Sequence, residues 1–125
     1  MATLIRDIAE MQRTADSLRR EGKRVAVVPT MGALHRGHLE LIRVAGEHAD
    51  TVIATVFVNP AQFGPGEDFQ KYPRDLEGDT AKAGSAGAQI VFAPAAAAVY
   101  PLGYLTYVDV EKLTGVLEGR FRPGH

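Results

Sequence analysis

Two apolar runs, Val25-Ala26-Val27-Val28 and Thr51-Val52-Ile53-Ala54-Thr55-Val56-Phe57-Val58, constrain the fold of this chain more than any other feature. Neither alternates apolar with polar residues, as a strand with one wet face does. Both suit strands buried on two sides in a parallel sheet. Parallel neighbours need a crossover, and Leu39, Leu41, Ile42, Val44 and Ala45 supply an apolar helical face between the two runs. Strand, helix and strand at this spacing make a βαβ unit, with a right-handed crossover expected.

The flanking segments extend that unit. Leu4, Ile8, Met11, Ala15 and Leu18 recur at helical spacing, which predicts a helix capped by Thr3 and ended by a left-handed turn at Gly22. Its Arg6, Asp7, Arg13, Asp16, Arg19 and Arg20 read as a solvated face. Asn59 to Tyr72 reads as a long ordered loop, and Asp75 to about Ser85 as a helix weakened by Gly78 and Gly84. Ile90-Val91-Phe92 is a third strand, Ala95 to Ala98 one helical turn, and the alternating Tyr107-Val108-Asp109-Val110 a fourth strand. The fold class is α/β: a Rossmann-like parallel sheet flanked by helices, over residues 1–125 without repeat or linker.

Composition narrows the chemistry. A net charge of −1 over 125 residues gives no electrostatic footprint for nucleic acid or an acidic membrane surface. The lack of cysteine excludes disulfides, thiolate nucleophiles and cysteine metal sites. No stretch approaches the roughly 20 apolar residues of a membrane span, and the N-terminal segment lacks the apolar core of a signal peptide. A cytoplasmic protein without membrane or nucleic-acid partners is the expectation.

Pro29-Thr30-Met31-Gly32-Ala33-Leu34-His35-Arg36-Gly37-His38 follows the first strand, at the carboxyl end where open α/β sheets bind ligands. Gly32, Ala33 and Gly37 allow close approach of backbone to ligand. A helix starting near His38 offers N–H groups and a dipole that favour phosphate. His35 and His38, three apart, both face that position. Attack on the α-phosphorus of ATP builds charge that such donors stabilise, each by roughly 3 kcal/mol. The same pair also suits a structural cap or a metal, although no third ligand stands beside it. His48, at the far end of the helix, suits the dipole's negative end.

The HxGH element at His35 to His38 resembles the signature of the nucleotidylyltransferase superfamily. The longer blocks PTMGALHRGHLELI at Pro29 to Ile42, VFVNPAQFGPGEDFQKYPRD at Val56 to Asp75 and LEGRFRPGH at Leu117 to His125 resemble the pantothenate synthetase family. That resemblance implies an ATP-dependent, AMP-forming ligase that joins pantoate to β-alanine through a pantoyl adenylate, with Mg²⁺ assisting. It implies that Met31, Gly32, Ala33, Leu34, His35, Arg36, Gly37 and His38 contact ATP, with His35 and His38 catalytic and His38 the acid candidate. Gln62 would bind pantoate and help place β-alanine, joined by Asn59, Phe63 and Tyr72, and Asp79 would sit at the metal. Phe57 and Phe63 could pack against the gem-dimethyl group of pantoate, or simply fill the core. Arg122 and His125 match positions near the site, and a homodimer is implied for the full-length family.

The chain departs from the family pattern after Arg122-Pro123-Gly124-His125. A Gly-Glu-Lys-Asp segment, a second pantoate-binding glutamine and a Met-Ser-Ser-Arg-type loop are expected beyond that point. Residues 1–125 therefore read as the N-terminal part of a truncated nucleotide-binding domain, inactive alone and with an uncovered sheet edge. The alternatives are another HxGH nucleotidylyltransferase and a noncatalytic ATP-binding or assembly fragment. VNPAQFGPGED, as part of the family's pantoate pocket, argues against the first.

Overall fold

Apolar side chains on both faces of the inner strands settle the architecture. The computed structural model runs β1 (Thr3–Ile5), α1 (Ile8–Arg20), β2 (Val25–Thr30), α2 (Arg36–His48), β3 (Thr51–Val56), α3 (Leu76–Ala86), β4 (Ile90–Phe92), α4 (Ala96–Val99) and α5 (Glu118–Phe121). Residues 1–64, 66, 69–70 and 72–125 are described. The strands form a four-stranded sheet in the order β1-β4-β3-β2, and every pairing is parallel.

The period of two along β3 divides the core. Val52 and Ala54 pack with Ile42 of α2, Ala83 of α3 and Val91 of β4. Ile53, between them, turns to the other face and packs with Ile5, Met11 of α1 and Ile90. Helices α2 and α3 thus cover one face and α1 the other, which is the α/β, Rossmann-like sandwich of the sequence reading. Ile42, Val52 and Val91 are the largest fully buried side chains among the described residues.

Four boundaries differ from the sequence reading. Thr3 is not a helix cap. Thr3, Leu4 and Ile5 pair with Ile90, Val91 and Phe92, and Asp7 caps α1 by accepting from the Glu10 N–H at 2.8 Å. A tertiary pairing overrides the helical spacing of Leu4. Second, β2 continues through Pro29 to Thr30. Proline lacks an N–H, but β2 is an edge strand with β3 as its neighbour, where a missing donor is tolerated. Third, β3 stops at Val56, two residues before Val58.

Fourth, Tyr107 to Val110 forms no strand. The N–H of Val110 donates to the Thr114 hydroxyl at 2.7 Å, and that hydroxyl also lies 2.7 Å from the Val110 carbonyl. Local turn bonds take the groups that a sheet ladder would need.

The end of α1 and the start of α3 fall where the sequence puts them, whereas α5 (Glu118–Phe121) has no counterpart in the sequence reading. Gly22 adopts φ +78° after α1, and α3 starts from Asp75, whose carboxylate accepts from the Gly78 N–H at 3.0 Å. β2 is not buried on both sides as its apolar run suggests: it is the last strand of the sheet, and Val27, on the same face as Ile53, is 57% exposed. No helix among the described residues is long and apolar enough to cross a membrane.

Candidate nucleotide site

The β2–α2 connection is held in an uncommon shape by its neighbours. Gly32 has φ +84° and Ala33, a non-glycine residue, φ +51°. A Cβ added to Gly32 would lie 2.9 Å from Val56 Cγ1 and 3.0 Å from Asp79 Oδ2, so both the angle and the space exclude a side chain. The Thr30 hydroxyl accepts from the Gly32 N–H at 3.1 Å and donates to the Thr55 carbonyl at 2.7 Å. Ala33 and Leu34 donate to Asp79 Oδ2 and Oδ1 at 2.9 and 2.8 Å. Lys82 Nζ donates to the Leu34 carbonyl at 3.3 Å.

The two histidines then cap the helix that follows. α2 starts at Arg36, earlier than the sequence reading placed it, and His35 is its N-cap. His35 Nδ1 accepts from the Gly37 N–H at 3.0 Å, and His38 Nδ1 accepts from the His35 N–H at 3.2 Å. The ring centroids are 3.9 Å apart. A neutral imidazole that accepts at Nδ1 carries its proton on Nε2. Both rings therefore present an Nε2–H donor away from the helix backbone. The cap and the phosphate-facing pair, alternatives in the sequence, use opposite nitrogens of the same rings.

Burial pushes the His38 imidazole below its ordinary range, as does the neighbouring His35, against an opposing pull from Asp79. The neutral, Nε2-protonated form is favoured at neutral pH. Any anion at the helix N-terminus meets the neutral His38 donor and the positive end of the α2 dipole.

The other expected site residues divide into groups. A cleft of about 390 Å³ opens beside the loop, with Met31, Gly32 and Asp79 in its wall alongside Arg6, Val58 and Phe69. His35, Arg36, Gly37, His38, Asn59, Gln62, Phe63 and Tyr72 do not line it. Gln62 ends a 3₁₀ turn, Pro60–Gln62, capped by Asn59, whose side chain accepts from the Ala61 N–H at 3.0 Å. His125 Nδ1 lies 3.4 Å from the Gln62 carbonyl, bringing the two blocks together. Phe63 stacks edge-on against Phe69 and Tyr72, and Phe57 lies 6.3 Å from Tyr100. Arg122 sits 3.7 Å from Glu118. Residues 65, 67, 68 and 71 of the expected loop lie outside the described residues.

Asp79, which the resemblance places at the metal, is a buried residue of α3. It is 2% exposed, and both of its oxygens accept backbone N–H groups. No group of three or more histidine, aspartate or glutamate residues converges for a metal among the described residues. The sequence reading gives Thr30 and Lys82 no role of their own, and Arg6, read as part of a solvated helix face, instead precedes α1 and donates through Nε to the Ala93 carbonyl at 3.0 Å. A threonine two residues before a turn glycine is a legible signal for Thr30. Nothing local marks Lys82, 48 residues from its partner.

A family model described as pantoate-β-alanine ligase matches residues 3–125. The chain belongs to that family. It is 56% identical over 122 residues to the pantothenate synthetase of Chlorobium luteolum and 57% identical over 122 residues to that of Geotalea uraniireducens. Each alignment covers 98% of this chain and 43% of the relative. Among solved structures, Thermus thermophilus pantothenate synthetase superposes with TM-score 0.88 at 49% identity, covering 100% of this chain and 44% of that one. A Francisella tularensis pantoate-β-alanine ligase, described as complexed with "Beta-gamma ATP" and β-alanine, gives TM-score 0.90 at 36% identity, with 100% and 48% covered. The chain thus spans less than half the length of these pantoate-β-alanine ligases.

Proposed function

We propose that residues 1–125 supply the nucleotide-activating part of a cytoplasmic ligase that condenses pantoate with β-alanine at the expense of ATP. The observation that carries this is the bonding of both Nδ1 atoms to the α2 N-terminus, which leaves Nε2 of each ring as the outward nitrogen. In the first step a pantoate carboxylate oxygen bonds to the α-phosphorus of ATP, and the bond to the bridging oxygen breaks to release pyrophosphate. His35 and His38 donate to the phosphate oxygens on which charge grows. In the second step the β-alanine amine attacks the acyl carbon, AMP departs, and the amine loses a proton to give the amide.

Met31, Gly32, Ala33, Leu34, Arg36 and Gly37 complete the ATP-contacting loop in this proposal. Gln62, Asn59, Phe63 and Tyr72 form the wall for pantoate and β-alanine. Gln62 fits a hydroxy acid because an amide both donates and accepts. Mg²⁺ would be held by the phosphates of ATP, whose charge it would neutralise. The buried Asp79 carboxylate, with both oxygens committed to backbone N–H groups, does not fit as its protein ligand. The whole ligase, a homodimer in this proposal, needs the remaining length of its relatives to complete the site.

The test is pantoate-dependent exchange of pyrophosphate into ATP, with residues 1–125 fused to the remaining portion of the Geotalea uraniireducens relative. Exchange that requires pantoate is expected. Exchange driven equally by an unrelated acid would point to another HxGH nucleotidylyltransferase and sink the assignment.

A further inference from the structure

Of the described acidic residues, Asp79 has the surroundings hardest to reconcile with a solvated or metal-binding role. It belongs to α3, yet its carboxylate is buried against a loop 45 residues earlier in the chain. We infer that Asp79 is a positioning residue: it clamps the Ala33 and Leu34 N–H groups and so holds the left-handed turn that aims His35 and His38, and it is not a metal ligand.

The hydrogen bonding of the loop supports that role. Gly32, Ala33 and Leu34 carry consecutive N–H groups, and each donates to a side-chain acceptor: Thr30, Asp79 and Asp79. Two of these bonds are charge-assisted, stronger than bonds between neutral groups. Ala33 sits at φ +51°, a conformation that disfavours a non-glycine residue and persists only where the surroundings over-determine it. Asp79 and, one turn along α3, Lys82 provide that restraint from one helix, gripping opposite ends of the Leu34 backbone. The next residue, His35, begins the capping pair. Movement at Ala33–Leu34 therefore redirects both imidazoles. The consequence for catalysis rests on the proposed adenylation, whereas the clamp itself does not.

The experiment compares the wild-type chain with Asp79→Asn by amide hydrogen exchange and imidazole titration, both followed by NMR. An asparagine turns one acceptor into a donor facing an N–H. The Ala33 and Leu34 amides should exchange about tenfold faster or more, the scale of losing one hydrogen bond to a charged group. Amides of β3 and β4 should keep their protection. The His38 titration should move lower still, because the Asp79 charge raises it. A uniform rise in exchange with an unmoved His38 titration would make Asp79 a general stability residue and overturn the proposal. If Asp79→Asn does not fold, the wild-type chain decides: Ala33 and Leu34 amides exchanging at open-loop rates overturn the clamp, and protected ones support it. Mg²⁺ alone, added to the wild type, should leave both amide signals in place. Saturable shifts centred there would restore the metal-ligand role. Neither ATP nor pantoate is needed, so failure of the clamp is distinguishable from failure of the proposed ligase reaction.

Discussion

His38 works through two nitrogens with different tasks. Nδ1 satisfies the His35 N–H, and Nε2–H is left for an anion. Two substitutions separate these tasks. In His38→Asn the amide oxygen takes the place of Nδ1, so the cap survives and the outward donor is lost. Stability should stay within about 0.5 kcal/mol, while pantoate-dependent exchange in the fused ligase falls by roughly 10²–10³. His38→Gln reverses the pattern, losing about 1 kcal/mol of cap stability while retaining more exchange. Denaturant unfolding and the exchange assay together read both. Equal exchange in the two variants would refute the division of labour.

The pH dependence follows from the same ring. Burial and His35 lower the His38 pKa in the fold, so the folded state favours the neutral form more than the unfolded chain does. The stability tied to this group is present above the unfolded value of about 6.5 and is lost as pH falls through the lower folded value. Protonation at Nδ1 also removes the acceptor for the His35 N–H. Thermal unfolding should show the wild type losing stability relative to His38→Asn as pH falls below about 6.5. A constant difference across that range would contradict the assigned role of Nδ1.

Helices and strands show where local signals were sufficient. α1, α2 and α3 form over the segments that periodicity and composition mark as helical, although the starts of α1 and α2 differ, because a helix closes its hydrogen bonds within its own segment. The spacing of Leu4 fits a helical stripe, while the partner strand that makes Thr3–Ile5 a strand, β4, lies 87 residues away. The glycines of α3 weaken its propensity but have a packing use: a Cβ on Gly84 would come within 2.9 Å of the Ala2 backbone nitrogen. α3 thus gives up intrinsic helicity to let the N-terminal strand pass. The element most dependent on packing is α2, whose Ile42 is fully buried against β2 and β3. Ile42→Ala should cost about 2–5 kcal/mol in denaturant unfolding. A smaller loss, below about 1 kcal/mol, would mean the α2–sheet contact is not the centre of this core.

Across the whole molecule, the strand that carries the site is also a sheet edge. β2 pairs with β3 on one side, and Val27 remains 57% exposed. Beyond β4, Leu102, Leu105, Val108, Leu113 and Phe121 are exposed apolar side chains. Amide exchange on β2 should therefore be faster than on the central β3 in residues 1–125, and should slow when the chain is fused to the remaining length of its relative. Unchanged β2 exchange in the fusion would show that the added portion leaves this edge uncovered.

The sequence alone determined the βαβ unit, the α/β class, the HxGH loop and the family resemblance, because these depend on neighbouring residues whose periodicity and spacing survive in one dimension. Only the tertiary structure decided that Thr3 to Ile5 is a strand, that Tyr107 to Val110 is not, and which nitrogen of each histidine faces outward. It alone put the Asp79 carboxylate on the backbone of a loop 45 residues away. Strand pairing and buried hydrogen bonds join groups far apart in the chain. Their free energy comes from excluding water around both partners at once, and a local stretch of sequence contains only one of them.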